Sequence, residues 1–256
     1  MPTALIVEDE PEANKLLSML VQLRGYRTES AYQGSEALDR VRDRAPDVVF
    51  LDLMLPDLDG YDVCRSLKAS GTTCLTPVVI VTARVAAENR IESFGVGADD
   101  FVPKPYTPDE IFHALDWSNS WKAQIGASRV EGLVVLDDRD EGDTLRNLAE
   151  LRNLMLAQSG LGVEAIQPIT AAIKAIWSSV GSFSRRSLMV AVATMSYELT
   201  SEGLTLIVRD QGGWLPRLDG IAEERTSKCL TEAQFDQIIS DDANRSLKLV
   251  KNFKLR

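Results

Sequence analysis

Glu8 and Asp9 follow the apolar run Ala4–Val7, Asp52 follows Val48–Leu51, Thr82 follows Val78–Val81, and Lys104 follows Phe101–Val102. Singly, each has a structural explanation: an acid after a strand caps a turn, a threonine packs, and a lysine before proline is a surface residue. Together they are three acids, a hydroxyl and an ammonium group, each placed where an apolar run stops. Three clustered carboxylates repel one another unless a cation sits between them. Hard oxygen donors with room for water suit Mg²⁺. A carboxylate in such a cluster can act as a nucleophile toward a phosphoryl group and form an acyl phosphate. A neighbouring ammonium and hydroxyl can then hold the transferred oxygens.

Such chemistry needs elements that bring the five positions together. The four runs are short, rich in β-branched residues and nearly continuous in apolar character, the pattern of parallel strands buried on both faces. A fifth short strand is expected at Arg27–Ala31. Helical patterns intervene at Glu12–Leu23, Gly34–Asp43, Gly60–Ala69, Ala86–Phe94 and from Pro108 past Trp117, with Thr107 as the cap before Pro108. Strand and helix alternating in this way predict an α/β fold with a doubly wound five-stranded parallel sheet. In such sheets ligands bind outside the carboxyl ends of the strands, where these five residues fall.

The segments LIVEDE, VVFLDLMLPDLDGYDVC, PVVIVTA and ADDFVPKP resemble the receiver domain of two-component response regulators. The resemblance covers about the first 120 residues and implies a flavodoxin-like fold. It implies that Asp52 is the phosphoacceptor, and that Glu8, Asp9, Asp52 and the backbone carbonyl of Met54 hold Mg²⁺. Thr82 and Phe101 become the switch pair, Lys104 the phosphate contact, and the Lys104–Pro105 bond is expected to be cis. A cognate histidine kinase or phosphotransferase is implied as the phosphoryl donor. Adding about two negative charges at Asp52 would draw Thr82 inward and let the Phe101 ring turn.

A chain of 256 residues has room for two domains. The expected division is a receiver over 1–122, a linker over 123–129 containing Gly126-Ala-Ser, and an output domain over 130–256. The net charge is −10. Residues 1–128 carry 12 basic against 20 acidic residues, a net −8, and residues 129–256 a net −2. Neither half has the basic excess of a nucleic-acid binder. No apolar run is long enough to span a membrane, and the N-terminus lacks the basic region of a secretory signal. Cys64, Cys74 and Cys229 follow no metal-ligand spacing and read as reduced thiols of a cytoplasmic protein.

Beyond the linker the pattern predicts a strand at Gly132–Leu136, a helix at Thr144–Gln158 stopped by Gly160, and a very apolar helix at Val163–Val180. A hairpin of Ser187–Tyr197 and Glu202–Arg209 follows, then a helix at Thr231–Ile239; Leu247–Leu255 fits a last strand or a helix, the period of two favouring the strand. This order, with Asp210-Gln-Gly212-Gly213 at the hairpin's end, resembles the GHKL ATPase fold, and within it the anti-sigma-factor serine kinases. The resemblance implies that Asp210, Gly212 and Gly213 meet a nucleotide. In that family the long helix carries a glutamate as general base and an asparagine as metal ligand; Lys174 and Ser178 stand there in this chain. Protonated lysine cannot be that base, so the second half reads as a degenerate, protein-binding α+β output domain, a pseudokinase. A working serine kinase and a DNA-binding regulator are the alternatives; the second lacks a basic recognition helix. His113 is the sole histidine, so the second half holds no phosphorelay histidine. A downstream protein partner is expected, and a homodimer through either half is compatible with the sequence.

Overall fold

The computed structural model describes residues 1–125, 127, 129–137, 141–187, 192–210, 224–241 and 243–253. It divides into two compact units, Met1–Gln124 and Ile125–Arg256.

The first unit alternates β1 (Thr3–Val7), α1 (Pro11–Leu23), β2 (Arg27–Ala31), α2 (Gly34–Asp43), β3 (Val48–Leu51), α3 (Gly60–Ala69), β4 (Val78–Thr82), α4 (Ala87–Gly95), β5 (Asp100–Pro103) and α5 (Pro108–Ile125). The five strands form one sheet in the order β2-β1-β3-β4-β5. All its neighbouring strands are parallel, as the apolar runs required. Side chains alternate between its two faces, so each strand feeds two cores. Leu5, Val7, Val49, Leu51 and Ile80 pack toward α2 and α3 with Ala37, Val63 and Leu67. Ala4, Ile6, Val48, Phe50, Val79 and Val81 pack toward α1 and α5 with Leu17, Val21, Ile111 and Leu115. Burying such side chains contributes about 1.5–3 kcal/mol each before chain entropy is counted.

Local signals set the helix starts. Pro11 opens α1, where its missing N–H costs nothing. The Asp59 side chain accepts from Tyr61 N at 2.9 Å and caps α3. Thr107 and Glu110 exchange bonds at the start of α5: Thr107 N donates to Glu110 Oε2 at 2.7 Å, and Glu110 N to Thr107 Oγ1 at 3.4 Å.

The second unit contains β6 (Arg129–Asp137), α6 (Glu141–Ser159), α7 (Val163–Ser187), β7 (Val192–Thr200), β8 (Gly203–Asp210), α8 (Glu224–Glu232), β9 (Gln237–Asp241) and β10 (Ser246–Asn252). Its sheet runs in the order β6-β7-β8-β10-β9, with antiparallel neighbours throughout. Leu136, Met195, Leu206, Val208 and Leu249 are buried on one face with Leu148, Leu151, Ile169 and Ile176 from α6 and α7. Gly160, at φ +66, ends α6 as expected.

Two expectations for this unit are corrected. The predicted helix at Thr231–Ile239 is α8 ending at Glu232, followed by the edge strand β9. Gln234 takes a left-handed backbone at φ 49, which stops the helix. Ile238 and Ile239, both β-branched, then pair with β10. The predicted strand start at Ser187 is the end of α7. No proline interrupts the chain between Val180 and Ser187, so the helix runs on past its apolar stripe.

Candidate functional site

Five of the sequence-predicted residues of the first unit fall at the carboxyl edge of its sheet. Glu8 and Asp9 follow β1, Asp52 follows β3, Thr82 ends β4, and Lys104 follows β5. The backbone holds these tips in register: Asp52 N donates to Val7 O at 2.9 Å, and Lys104 N to Thr82 O at 2.8 Å. One carboxylate oxygen from each of Glu8, Asp9 and Asp52 lies within 4.8 Å of the others. Lys104 Nζ donates to Glu8 Oε2 at 2.5 Å and to Asp52 Oδ2 at 2.6 Å. The second oxygen of Asp52 accepts from Met54 N at 3.1 Å.

These contacts set the electrostatics. Burial pushes the Glu8 carboxyl above its ordinary value, against the lowering effect of the Lys104 ammonium beside it. Burial alone would lower Lys104, but its bonds to Asp52 and Glu8 outweigh this and hold its pKa above the ordinary value. Lys104 therefore carries a fixed positive charge between two acids, and Asp9 stands exposed beside them. Such a donor set, all hard oxygens with one exposed member, fits a small divalent cation.

Thr82 is fully buried, and its hydroxyl accepts from Arg84 N at 3.3 Å. Phe101 is partly buried against the α2–α3 core. The Lys104–Pro105 bond is cis, as expected. In the turn after β3, Met54 bridges to Asp59 and its side chain is exposed. Gly60 closes that turn: a Cβ there would lie 2.4 Å from Asp52 O and 2.5 Å from Leu53 Cα. Only glycine lets the start of α3 approach the backbone of Asp52 so closely.

Several supporting residues escaped the sequence reading. Asn14, buried on α1, donates to Ile6 O and Glu8 O and accepts from Ser30 Oγ at 2.6 Å, fixing the tip of β1. Asp57 reaches across to the start of α2, accepting from Gly34 N at 2.7 Å and Ser35 N at 2.9 Å. Lys68 and Asp99, each 2% exposed, form a buried ion pair at 2.5 Å. Lys68 also donates to Thr76 O at 2.8 Å, and Asp99 accepts from Val78 N at 2.7 Å. One signal was present: Lys68 falls on the stripe of α3 that carries Tyr61, Cys64 and Leu67. Asn14, by contrast, looks like any polar helix residue.

In the second unit Asp210 is buried at the end of β8. Gly212 and Gly213 lie outside the described residues. Lys174 is half-buried on α7, and its pKa is lowered by burial and by the charge of Arg152. Ser178 is exposed, one turn further along, and donates to Lys174 O at 3.0 Å. No described helix is long and apolar enough to cross a membrane.

Comparison with known proteins bears on the first unit. Residues 4–116 match the response regulator receiver domain family. The response regulator MprA of Mycobacterium sp. (strain KMS) is 38% identical over 107 residues, covering 42% of this chain and 46% of the relative. The probable transcriptional regulatory protein TcrX of Mycobacterium tuberculosis is 36% identical over 148 residues, covering 56% and 62%. The chain thus spans about half the length of the MprA relatives it matches. Among solved structures, a response regulator from Chloroflexus aurantiacus aligns over 46% of this chain and 98% of its own length, at 29% identity and a TM-score of 0.45. Residues 4–116 of this chain are a response regulator receiver domain.

Proposed function

We propose that Asp52 is the phosphoacceptor of this receiver and that its phosphorylation controls a protein-binding output unit. The observation carrying the reading is the bridge made by Lys104 Nζ to both Glu8 and Asp52 at the meeting point of three strand tips. Glu8, Asp9, Asp52 and the Met54 carbonyl would hold Mg²⁺, which when bound offsets negative charge on the phosphoryl group.

The chain's own residues supply the rest. A carboxylate oxygen of Asp52 forms the new bond to phosphorus as the bond to the donor breaks, giving an acyl phosphate. Met54 N fixes the carboxylate plane through Asp52 Oδ1. Lys104 is already charged and within reach of Asp52, so it can follow a phosphoryl oxygen without a change of protonation. Thr82 can turn its hydroxyl toward the new charge, leaving space for Phe101. The donor is a histidine kinase or phosphotransferase. We read 1–122 as the receiver, 123–129 as the linker and 130–256 as the output domain.

For the output unit, a GHKL-like domain without catalysis is favoured by the chemistry at α7. Lys174 and Ser178 occupy the stations of base and metal ligand, and the pair of cations Lys174 and Arg152 disfavours a metal there. Labelled acetyl phosphate tests the phosphoacceptor. With Mg²⁺ it should give alkali-labile labelling in the wild type and none in Asp52→Ala or after chelation. Separately, ATP titrated into the full chain should not be turned over; hydrolysis would overturn the reading of the second unit.

A further inference from the structure

Among the described residues of the second unit, the outermost strand β6 is unusual for an edge that no other strand covers. Its nine residues pair with β7 in an unbroken register from Arg129↔Thr200 to Asp137↔Val192, with no bulge. Among the described residues it pairs with no strand on its other side. Edges of this length, about 30 Å at 3.4 Å per residue, are normally blunted by proline, lysine, a bulge or early termination. The segment RVEGLVVLD has no proline or lysine, and its charged positions 129, 131 and 137 leave the five residues 132–136 uncharged. The opposite edge, β9, is by contrast five residues long. On β6, Val134 and Leu136 are buried against the helices, while Leu133 is 65% exposed and Val135 47% exposed on the other face.

We propose that β6 pairs antiparallel with β6 of a second copy of this chain, joining two five-stranded sheets across a two-fold axis at Leu133. The register selects this occupant. Opposed residues must share a face, so only alternate registers are open. With Leu133 opposite its own copy, all nine positions are paired. Position 129, an arginine, then meets position 137, an aspartate, at both ends, and Val130 meets Leu136 over the core. Moving the axis to residue 134 sets Glu131 against position 137, two acids. Moving it to 132 leaves positions 136 and 137 of each copy unmatched and opposes no unlike charges. A parallel in-register pair would stack Glu131 on Glu131 and lacks the two-fold symmetry of a closed dimer. The exposed Arg129 guanidinium, 3.3 Å from Glu198 on its own sheet, stands at the rim where a further acid would be met. This dimer is independent of Asp52 and of the proposed phosphorylation.

Cross-linking of the full chain tests both the partner and the register. Cys64 and Cys74 are buried, so a Cys229→Ser background removes the accessible thiol. In the proposed dimer, Leu133→Cys faces its own copy and oxidises to a disulfide-linked dimer. Val135→Cys lies about 14 Å from its copy, four residues along the strand, and does not. Sedimentation at micromolar concentration should give a dimer for the wild type and for Asp52→Ala, and a monomer for Leu133→Lys that keeps the wild-type circular dichroism spectrum. A monomeric wild type overturns the proposal. So does cross-linking at Val135→Cys equal to that at Leu133→Cys, or a Leu133→Lys chain that remains dimeric.

Discussion

At the scale of single residues, the acidic site balances one ammonium against three carboxylates. Lys104 sits where a divalent cation would compete for the same oxygens of Glu8 and Asp52. Replacing it by methionine removes the competitor, so Lys104→Met should bind Mg²⁺ more tightly, by about tenfold if about 1.4 kcal/mol of repulsion is relieved. Calorimetric titration reads this directly, and weaker binding would contradict the geometry. Asp57 offers a second test. Bonds from Ser35, through its side chain and its backbone N–H, hold its pKa down at about 2 from an ordinary 3.8. A depressed carboxylate stabilises the fold above its unfolded pKa, and that stability is lost as pH falls through the folded one. Asp57 is exposed and water screens its bonds, so Asp57→Asn should cost no more than about 1 kcal/mol near neutrality, the size of a helix cap, and the difference should shrink between pH 3.8 and about 2. Urea unfolding across that range measures it. Of these residues the sequence reading reached Lys104, whose place after a strand was visible; Asp57 helps a helix 22 residues or more away in sequence, and no local pattern marks such a reach.

At the scale of elements, the buried pair of Lys68 and Asp99 joins the end of α3, the loop before β4 and the turn into β5. It lies at the end of β4 and β5 opposite Thr82 and Lys104, so it sets how these two strands are anchored. Removing one charge strands the other in the core. Lys68→Met is expected to destabilise the first unit by about 3–5 kcal/mol, and Lys68→Met with Asp99→Leu to recover much of that loss. Equal destabilisation by the single and double variants would show that the pair does not act as a unit. Most elements were legible because each strand of the first unit is buried on both faces and each helix on one. The errors arose where that rule weakens. The β9 strand is an exposed edge whose Ile238 and Ile239 are half in water, so its apolar pattern resembled a continuing helix. The end of α7 continues beyond its apolar stripe, leaving nothing in hydrophobic period to mark it.

At the scale of the whole chain, a receiver unit is joined to a second unit with its own sheet and core, each built from its own set of strands. The first could be read in functional terms because three carboxylates, a hydroxyl and an ammonium group all fall at strand tips. The second offers one buried acid at a strand end, Asp210, and on α7 a lysine and a serine at the places where the resemblance calls for a base and a metal ligand; a binding surface is a matter of shape, which periodicity does not encode. The account as a whole rests on one covalent event at Asp52. Its most direct measurement is borohydride trapping after incubation with acetyl phosphate and Mg²⁺, which reduces an aspartyl acyl phosphate to homoserine, followed by mass analysis of the peptides. Homoserine at position 52 and at no other aspartate is the predicted result. Homoserine at Asp9 or elsewhere, or an unmodified position 52, would contradict the account.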